Sequence, residues 1–189
     1  MARRRRPSRL SRLYAKANRY LKCRNRRRLF DLLLRTPELL GHIEQDTSML
    51  ALAGWWEHYD VVDWLLKQGA EPDLVEEGGN TLLIHAAVEN DVRLARMLLD
   101  HGANVEKANR HFETPLGFAC AYDAVDVVRL LCEHGADVNG TEGSGYSYLC
   151  AVQGGKQPEI ESILLSYGAR VIHEEPKLKP ESDETTSAR

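Results

Sequence analysis

"DHGANVEKANRHFETPLGFA", residues 100–119, ends one helix, crosses a polar loop and opens another. Gly102 is the residue type that accepts the left-handed conformation closing a helix. Thr114 is placed to cap the following helix with its hydroxyl. Pro115 falls at the first helical position, where a missing N–H costs nothing. The stretch predicts a helix stop, a loop and a helix start, in that order.

The same order returns along the chain. Gly-Ala pairs stand at Gly69-Ala70, Gly102-Ala103, Gly135-Ala136 and Gly168-Ala169, each 33 residues after the last. Hydroxyl residues open the matching segments at Ser48, Thr81, Thr114 and Ser147, again 33 apart. Ahead of each glycine one slot holds Leu65, Leu98, Leu131 and Leu164, and the next holds Leu66, Leu99, Cys132 and Leu165. Between Thr114 and Gly135 lie two apolar stretches, around Leu116-Phe118-Ala119 and around Val127-Val128-Leu131, with a short turn near Asp123-Ala124. That is a helix-turn-helix hairpin. Small residues at Ala53, Ala86 and Ala119 allow neighbouring hairpins to approach closely. A fixed period of this length means a stacked array, in which each unit buries its apolar faces against its neighbours.

These residues resemble the ankyrin repeat, whose T-P-L-H-x-A opening and L-L-x-x-G-A close recur at this period. "ETPLGFACAYDAVDVVRLLCEHGADVN" is the nearest copy, followed by "NTLLIHAAVENDVRLARMLLDHGANV". "SMLALAGWWEHYDVVDWLLKQGAEPD" and "SYLCAVQGGKQPEIESILLSYGARV" are looser. The chain departs from the pattern at the fourth place, where Ala51, Ile84, Gly117 and Cys150 stand instead of His, and it keeps Pro only at Pro115. The resemblance implies an all-α solenoid of stacked helix-turn-helix units with finger loops, over about residues 48–170.

One period further back, Leu29, Leu32 and Leu33 map onto Val62, Leu65 and Leu66, and Leu10, Leu13, Tyr14, Ala17 and Leu21 recur at helical spacing. Residues 9–46 are therefore expected to form a degenerate N-terminal capping repeat. Residues 47–79, 80–112 and 113–145 follow as repeats and 146–172 as a C-terminal capping repeat. Residues 1–8 are expected to be a basic disordered tail, and 173–189, charged and almost without apolar side chains, a second one. Trp64 takes the slot of Met97, Leu130 and Ile163 and is expected in the core.

The formal net charge of −3 conceals an uneven distribution. Residues 1–28 hold 13 Lys or Arg and no acid, while the remaining 161 residues hold 12 basic and 28 acidic side chains. A basic end is thus joined to an acidic body. Arg24, Arg26, Arg27 and Arg28 are expected on a folded cap helix. The cluster Arg3, Arg4, Arg5 and Arg6 is open to several readings: a nuclear localisation signal, a nucleic-acid contact, an anionic-membrane contact, mitochondrial import, or a solvated tail. Import is disfavoured because residues 10–34 belong to the fold. Nucleic acid is the less favoured partner, since an acidic body repels phosphate.

Several chemistries find no support in the residues. There is no P-loop, GxSxG, HExxH or paired metal-ligand spacing, so no catalytic, cofactor or metal residues are expected. "GTEGSG" at 140–145 lies in a loop with no preceding strand. His101 and His134 share one slot at helix C-termini, where the helix dipole favours them. The sequon at Asn139-Gly140-Thr141 is expected to be silent in an intracellular setting. Cys23, Cys120, Cys132 and Cys150 show no disulfide spacing and no secretory apolar segment precedes them, so a cytoplasmic location is expected, with the nucleus as alternative. No stretch is long and apolar enough for a membrane helix. The resemblance implies one modification, hydroxylation of Asn139, which ends "GADVN" eight residues after Leu131.

A monomeric, non-enzymatic protein-interaction module, adaptor or inhibitor, is the expected function. A nucleic-acid-associated protein using the Arg-rich tail and cap is the alternative. The resemblance places the binding surface on the loop tips and on the exposed face of the first helices, together concave. Exposed helix positions are then Trp55, Trp56, Val88, Glu89, Ala121, Tyr122, Gly154 and Gly155. The tips contribute Glu76, Glu77, Asn80, Asn109, Arg110, Glu113, Glu142 and Tyr146. Adjacent residues on a helix point about 100° apart, so Trp55 and Trp56 cannot both enter one core. Trp is enriched at binding hot spots. With Tyr59 at the start of the second helix and Tyr122 as a further aromatic, Trp55, Trp56, Glu89 and Arg110 outline an aromatic, acidic groove for a basic or amphipathic protein segment.

Overall fold

Four hydroxyl groups start four helices. In the computed structural model, which describes residues 8–44, 47–75, 79–140 and 147–170, the side chain of Ser48 accepts the N–H of Ala51 at 3.0 Å and that of Thr81 the N–H of Ile84 at 3.4 Å. Thr114 does the same for Gly117 at 3.2 Å and Ser147 for Cys150 at 3.4 Å. These caps open α3 (Met49–Trp55), α5 (Leu82–Val88), α7 (Pro115–Ala121) and α9 (Tyr148–Gly155). Each receiving residue occupies the place where the ankyrin pattern has His, so the cap needs only its backbone.

Each of these helices turns back into a partner: α4 (Tyr59–Lys67), α6 (Val92–Asp100), α8 (Val125–Glu133) and α10 (Pro158–Ser166). The turn carries a register of its own. Arg24, Glu57, Asn90, Asp123 and Lys156, spaced 33 apart, all have left-handed φ between 52° and 58°. The next N–H in each case returns to a carbonyl five residues back: Asn25 to Tyr20, His58 to Ala53, Asp91 to Ala86, Ala124 to Ala119 and Gln157 to Val152. This closes the first helix with a Schellman-type turn. Because Arg24 and Asn25 share the pattern, the hairpin of α1 (Arg9–Lys22) and α2 (Arg26–Arg35) is built like the other four. Ser8 caps α1 through the N–H of Ser11.

The first helices pack side by side in one row, α1 on α3 and α5 on α7 on α9, and the second helices α4, α6, α8 and α10 in another. The slots between them admit little side chain. Ala53, Ala86 and Ala119 are fully buried, and Leu33, Leu65, Leu98, Leu131 and Leu164 fill the core behind them. Gly69, Gly102, Gly135 and Gly168 end the second helices or adjoin their ends with φ of 82–87°, a conformation glycine adopts without strain. Trp64 is only half-buried. One period back the cap helix α2 has Asp31 at that slot, and Phe30 beside it meets the Trp64 ring, the two tilted with centroids 4.9 Å apart.

Between units runs a ladder of side-chain to backbone hydrogen bonds. The carboxylate of Asp73 accepts the N–H of Asn104 at 3.0–3.1 Å, that of Glu106 accepts the N–H of Asp137 at 2.8 Å, and the amide oxygen of Asn139 accepts the N–H of Arg170 at 2.8 Å. Donors and acceptors each advance by 33 residues. The strand content among the described residues is one short antiparallel pair, β1 (Ile43–Glu44) with β2 (Thr47–Ser48), at the junction of cap and first repeat.

Candidate interaction surface

The ends of the first helices leave large aromatic side chains uncovered. Trp55 is 42 % exposed, Trp56 46 % and Tyr122 58 %, in helices whose other apolar side chains are largely buried. The two tryptophans diverge along the stack. Trp55 leans toward the next repeat, where its ring lies 6.1 Å from that of His85. Trp56 turns back toward the cap, with the Lys22 ammonium 5.4 Å from its ring centroid. The pair therefore bridges three successive units while keeping one side of each ring in solvent.

Beside Trp55 opens a cleft of about 540 Å³ lined by Trp55, Glu57, Tyr59, His85, Glu89 and Asp91. Glu57 and Glu89 are exposed at its rim. Burial pushes the His85 imidazole below its ordinary pKa, outweighing the nearby Glu89 and Asp91, which favours the uncharged ring. Tyr59 is tied down: its hydroxyl donates to Asp91 at 2.9 Å and the Arg93 guanidinium lies 4.4 Å from its ring centroid. Burial and Asp91 together push the phenol up to about 12. Asp91 also caps α6 through the N–H of Leu94 at 2.9 Å. The cleft thus presents two exposed carboxylates and a tryptophan wall on a braced floor.

Two repeats on, a groove of about 210 Å³ runs between α7 and α9, lined by Glu113, Thr114, Gly117, Phe118, Ala121, Tyr122 and Tyr148. Phe118 and Tyr122 stack one helical turn apart with centroids 6.3 Å apart. Gly117 makes room for Tyr148, whose ring is 3.1 Å from where a Cβ at 117 would sit. The Tyr148 hydroxyl bonds that of Thr114 at 2.8 Å.

The finger loop ahead of α7 is built around Asn109, which is 8 % exposed. Its amide nitrogen donates to Asn80 and Glu113 at 3.0 and 2.9 Å, and its amide oxygen accepts the N–H groups of His111 and Glu113. At the tip Phe112 is held at φ 64° and 81 % exposed. Arg110 is exposed beside it and its backbone packs over Gly79, 2.9 Å from where a Cβ would stand. Sequence reasoning passed over Phe112, although an aromatic among polar loop residues was a signal to use. Asn139 is half-buried and committed to the ladder, with its own N–H donated to Asp137. Arg3, Arg4, Arg5, Arg6, Glu76, Glu77, Glu142, Tyr146 and the segment 173–189 lie outside the described residues.

A family profile described as ankyrin repeats in three copies matches residues 48–142, half of the chain. The chain belongs to the ankyrin-repeat family. The ankyrin units here are also similar to part of the neurogenic locus notch homolog protein 1 of zebrafish, Danio rerio, at 33% identity over 90 residues. That match covers 47% of this chain and 4% of the relative, so it bears on the repeats and on nothing else in that protein. Ankyrin repeats are in general protein-interaction modules, and fold alone does not name a partner. Among the described residues no helix is long and apolar enough to cross a membrane, and no cluster of three metal-ligating side chains occurs.

Proposed function

We propose that this ankyrin array is a non-enzymatic adaptor or inhibitor that holds a segment of a partner protein against the exposed face of its first helices and the finger loop. The observation that carries this reading is Trp55, a large ring left 42 % exposed between two carboxylate-bearing turns. Exposed Trp at such a site is a typical hot spot, where truncation costs about 2 kcal/mol or more of binding. Glu57 and Glu89 favour a basic side chain next to the indole, where charge pairing and cation–π attraction act together. Tyr122, Phe118 and Phe112 favour an apolar residue farther along the same segment. The array acts as a monomer in a reducing compartment, the cytoplasm or the nucleus, which suits its four free cysteines. Asn139 is the residue proposed for hydroxylation, tested by the mass of its peptide after isolation from the source cells.

Affinity capture from nuclease-treated lysate tests the main reading. The native chain is compared with the Trp55→Ala, Trp56→Ala double variant after both are shown to be equally folded. A protein retained by the native chain and lost by the variant supports the aromatic surface. Equal retention by both assigns the tryptophans to packing and removes the reading.

A further inference from the structure

The cap hairpin carries a second surface of opposite sign. On α1 the residues Arg9, Arg12, Lys16 and Arg19 are all exposed. At about 100° per residue they fall within one arc of roughly 80°, and along the axis they span about 15 Å. Tyr14, Ala17 and Leu21, which are buried, face the other way. The four cations thus form a single row on the solvent side of α1, at the end of the array where no earlier unit is stacked among the described residues. Arg24, Arg27 and Arg28 are exposed at the neighbouring turn and start of α2.

Their charge is not consumed within the protein. Among the described residues, the ion pairs made by this hairpin are Arg26 with Asp60 and Arg35 with Asp31, neither in the row. Lys16 stands 5.8 Å from the Tyr20 ring centroid, which orients it without neutralising it. Glu44, on the adjoining strand β1, is engaged by Ser11 and His42. No acidic residue occurs before Asp31. Cations crowded into the first turn of a helix oppose its dipole, so Arg9 and Arg12, like Arg26 to Arg28 on α2, are placed at some expense to folding.

We infer that this row on α1 is a docking face for the phosphate backbone of duplex DNA, independent of the aromatic surface. A duplex carries roughly one negative charge per 1.7 Å of axis, and neutralising it releases counterions. A straight row of four cations on a rigid helix meets that charge without rearrangement. Three alternatives fit less well. Single strands are held by exposed aromatic platforms, and the row has none. Membrane-surface helices sink an apolar face into lipid, and the apolar face of α1 is inside the core. Double-stranded RNA is recognised by shape and by contacts to its 2′-hydroxyls, whereas the four side chains of the row are all cations, whose natural partner is phosphate. The acidic body does not forbid the contact. Units stack about 8–10 Å apart and the Debye length at physiological salt is about 8 Å, so charges beyond the adjoining repeat are largely screened.

The test is anisotropy of a short fluorescein-labelled DNA duplex titrated with the full chain over a range of salt. Four contacts predict an affinity that falls about a hundredfold between 50 and 200 mM salt. The variant Arg12→Glu, Lys16→Glu should lose more than tenfold at low salt, and Arg12→Gln, Lys16→Gln an intermediate amount, with circular dichroism unchanged. Trp55→Ala, Trp56→Ala should bind DNA as the native chain does. Unchanged binding by both α1 variants overturns the inference. So does binding that depends only on Arg3, Arg4, Arg5 and Arg6 when these are replaced by Ala. Tighter binding to an RNA duplex, or to phosphatidylcholine vesicles containing phosphatidylserine, also overturns it.

Discussion

The Trp55 indole leans on the His85 imidazole of the following repeat, ring centroids 6.1 Å apart and planes at 58°, with 42 % of the tryptophan left in solvent. The contact is made between units, so it braces the face on which a partner would rest. A ring that is only half covered contributes modestly to folding and has area left to bury on binding. Trp55→Ala is therefore expected to lower stability by about 1–2 kcal/mol in a urea titration and to weaken partner binding by more than tenfold. A stability loss of core size, about 3–5 kcal/mol, would instead mark a packing residue.

Two histidines give the array a pH dependence. Burial pushes His58 below its ordinary pKa, with Arg24 and Arg26 adding to the effect, and burial does the same for His85. A depressed pKa means that the unfolded chain takes up protons the folded one refuses. Stability is thus full above the unfolded value of about 6.5 and falls as pH drops from there toward the folded values. Melting temperature measured from pH 7.5 to 5.5 should decline across this window. The decline should shrink in His58→Gln, measured against its own value at pH 7.5.

The turns between paired helices hold non-glycine residues in left-handed backbone. For Asp123 and Lys156, at φ 58°, an L side chain costs about 1–2 kcal/mol, and glycine loses about 0.5–1 kcal/mol of that gain through its freedom when unfolded. Asp123→Gly and Lys156→Gly should each leave stability unchanged or raise it by up to about 1 kcal/mol. Gly135→Ala, at φ 82°, should lower it by about 1 kcal/mol. Thermal denaturation of the three variants decides the order.

Asn139 completes the inter-repeat ladder by accepting the N–H of Arg170. Asn139→Ala removes that acceptor and should cost about 0.5–1.5 kcal/mol. The loss should be local: faster amide exchange at Arg170 and in α10, with α6 and α8 unaffected.

Most of the fold was legible because it rests on local rules repeated at one period. Ser48, Thr81, Thr114 and Ser147 announce helix starts and the Gly-Ala pairs announce stops, and neither needs knowledge of tertiary contacts. The cap was readable through Leu29 and Leu33, but its register became unambiguous only through the backbone of Arg24, whose side chain says nothing about φ. The ladder of Asp73, Glu106 and Asn139 was hidden because three different residue types fill one slot, which residue-by-residue matching passes over. The surface was legible in part. Trp55, Trp56 and Tyr122 stood out as apolar residues at positions that should face water. Trp64 looked the same as its core counterparts, but the matching slot of the cap holds Asp31, and the ring stays half-buried against Phe30. Tyr59 could not be seen to be committed, since Asp91 lies 32 residues away in sequence. Phe112 carried a signal, an aromatic among polar loop residues, and the loop built around Asn109 adds that it stands at the tip.

The central claim is that the face of the first helices, and not the second, meets the partner. Hydroxyl-radical footprinting of the captured complex against the free chain tests it most directly. Protection at Trp55, Tyr122 and Phe112, with Arg93, Met97 and Tyr167 on the second helices and their ends unchanged, is the predicted result. Protection confined to the second helices, with Trp55 and Tyr122 as reactive in the complex as outside it, would contradict it.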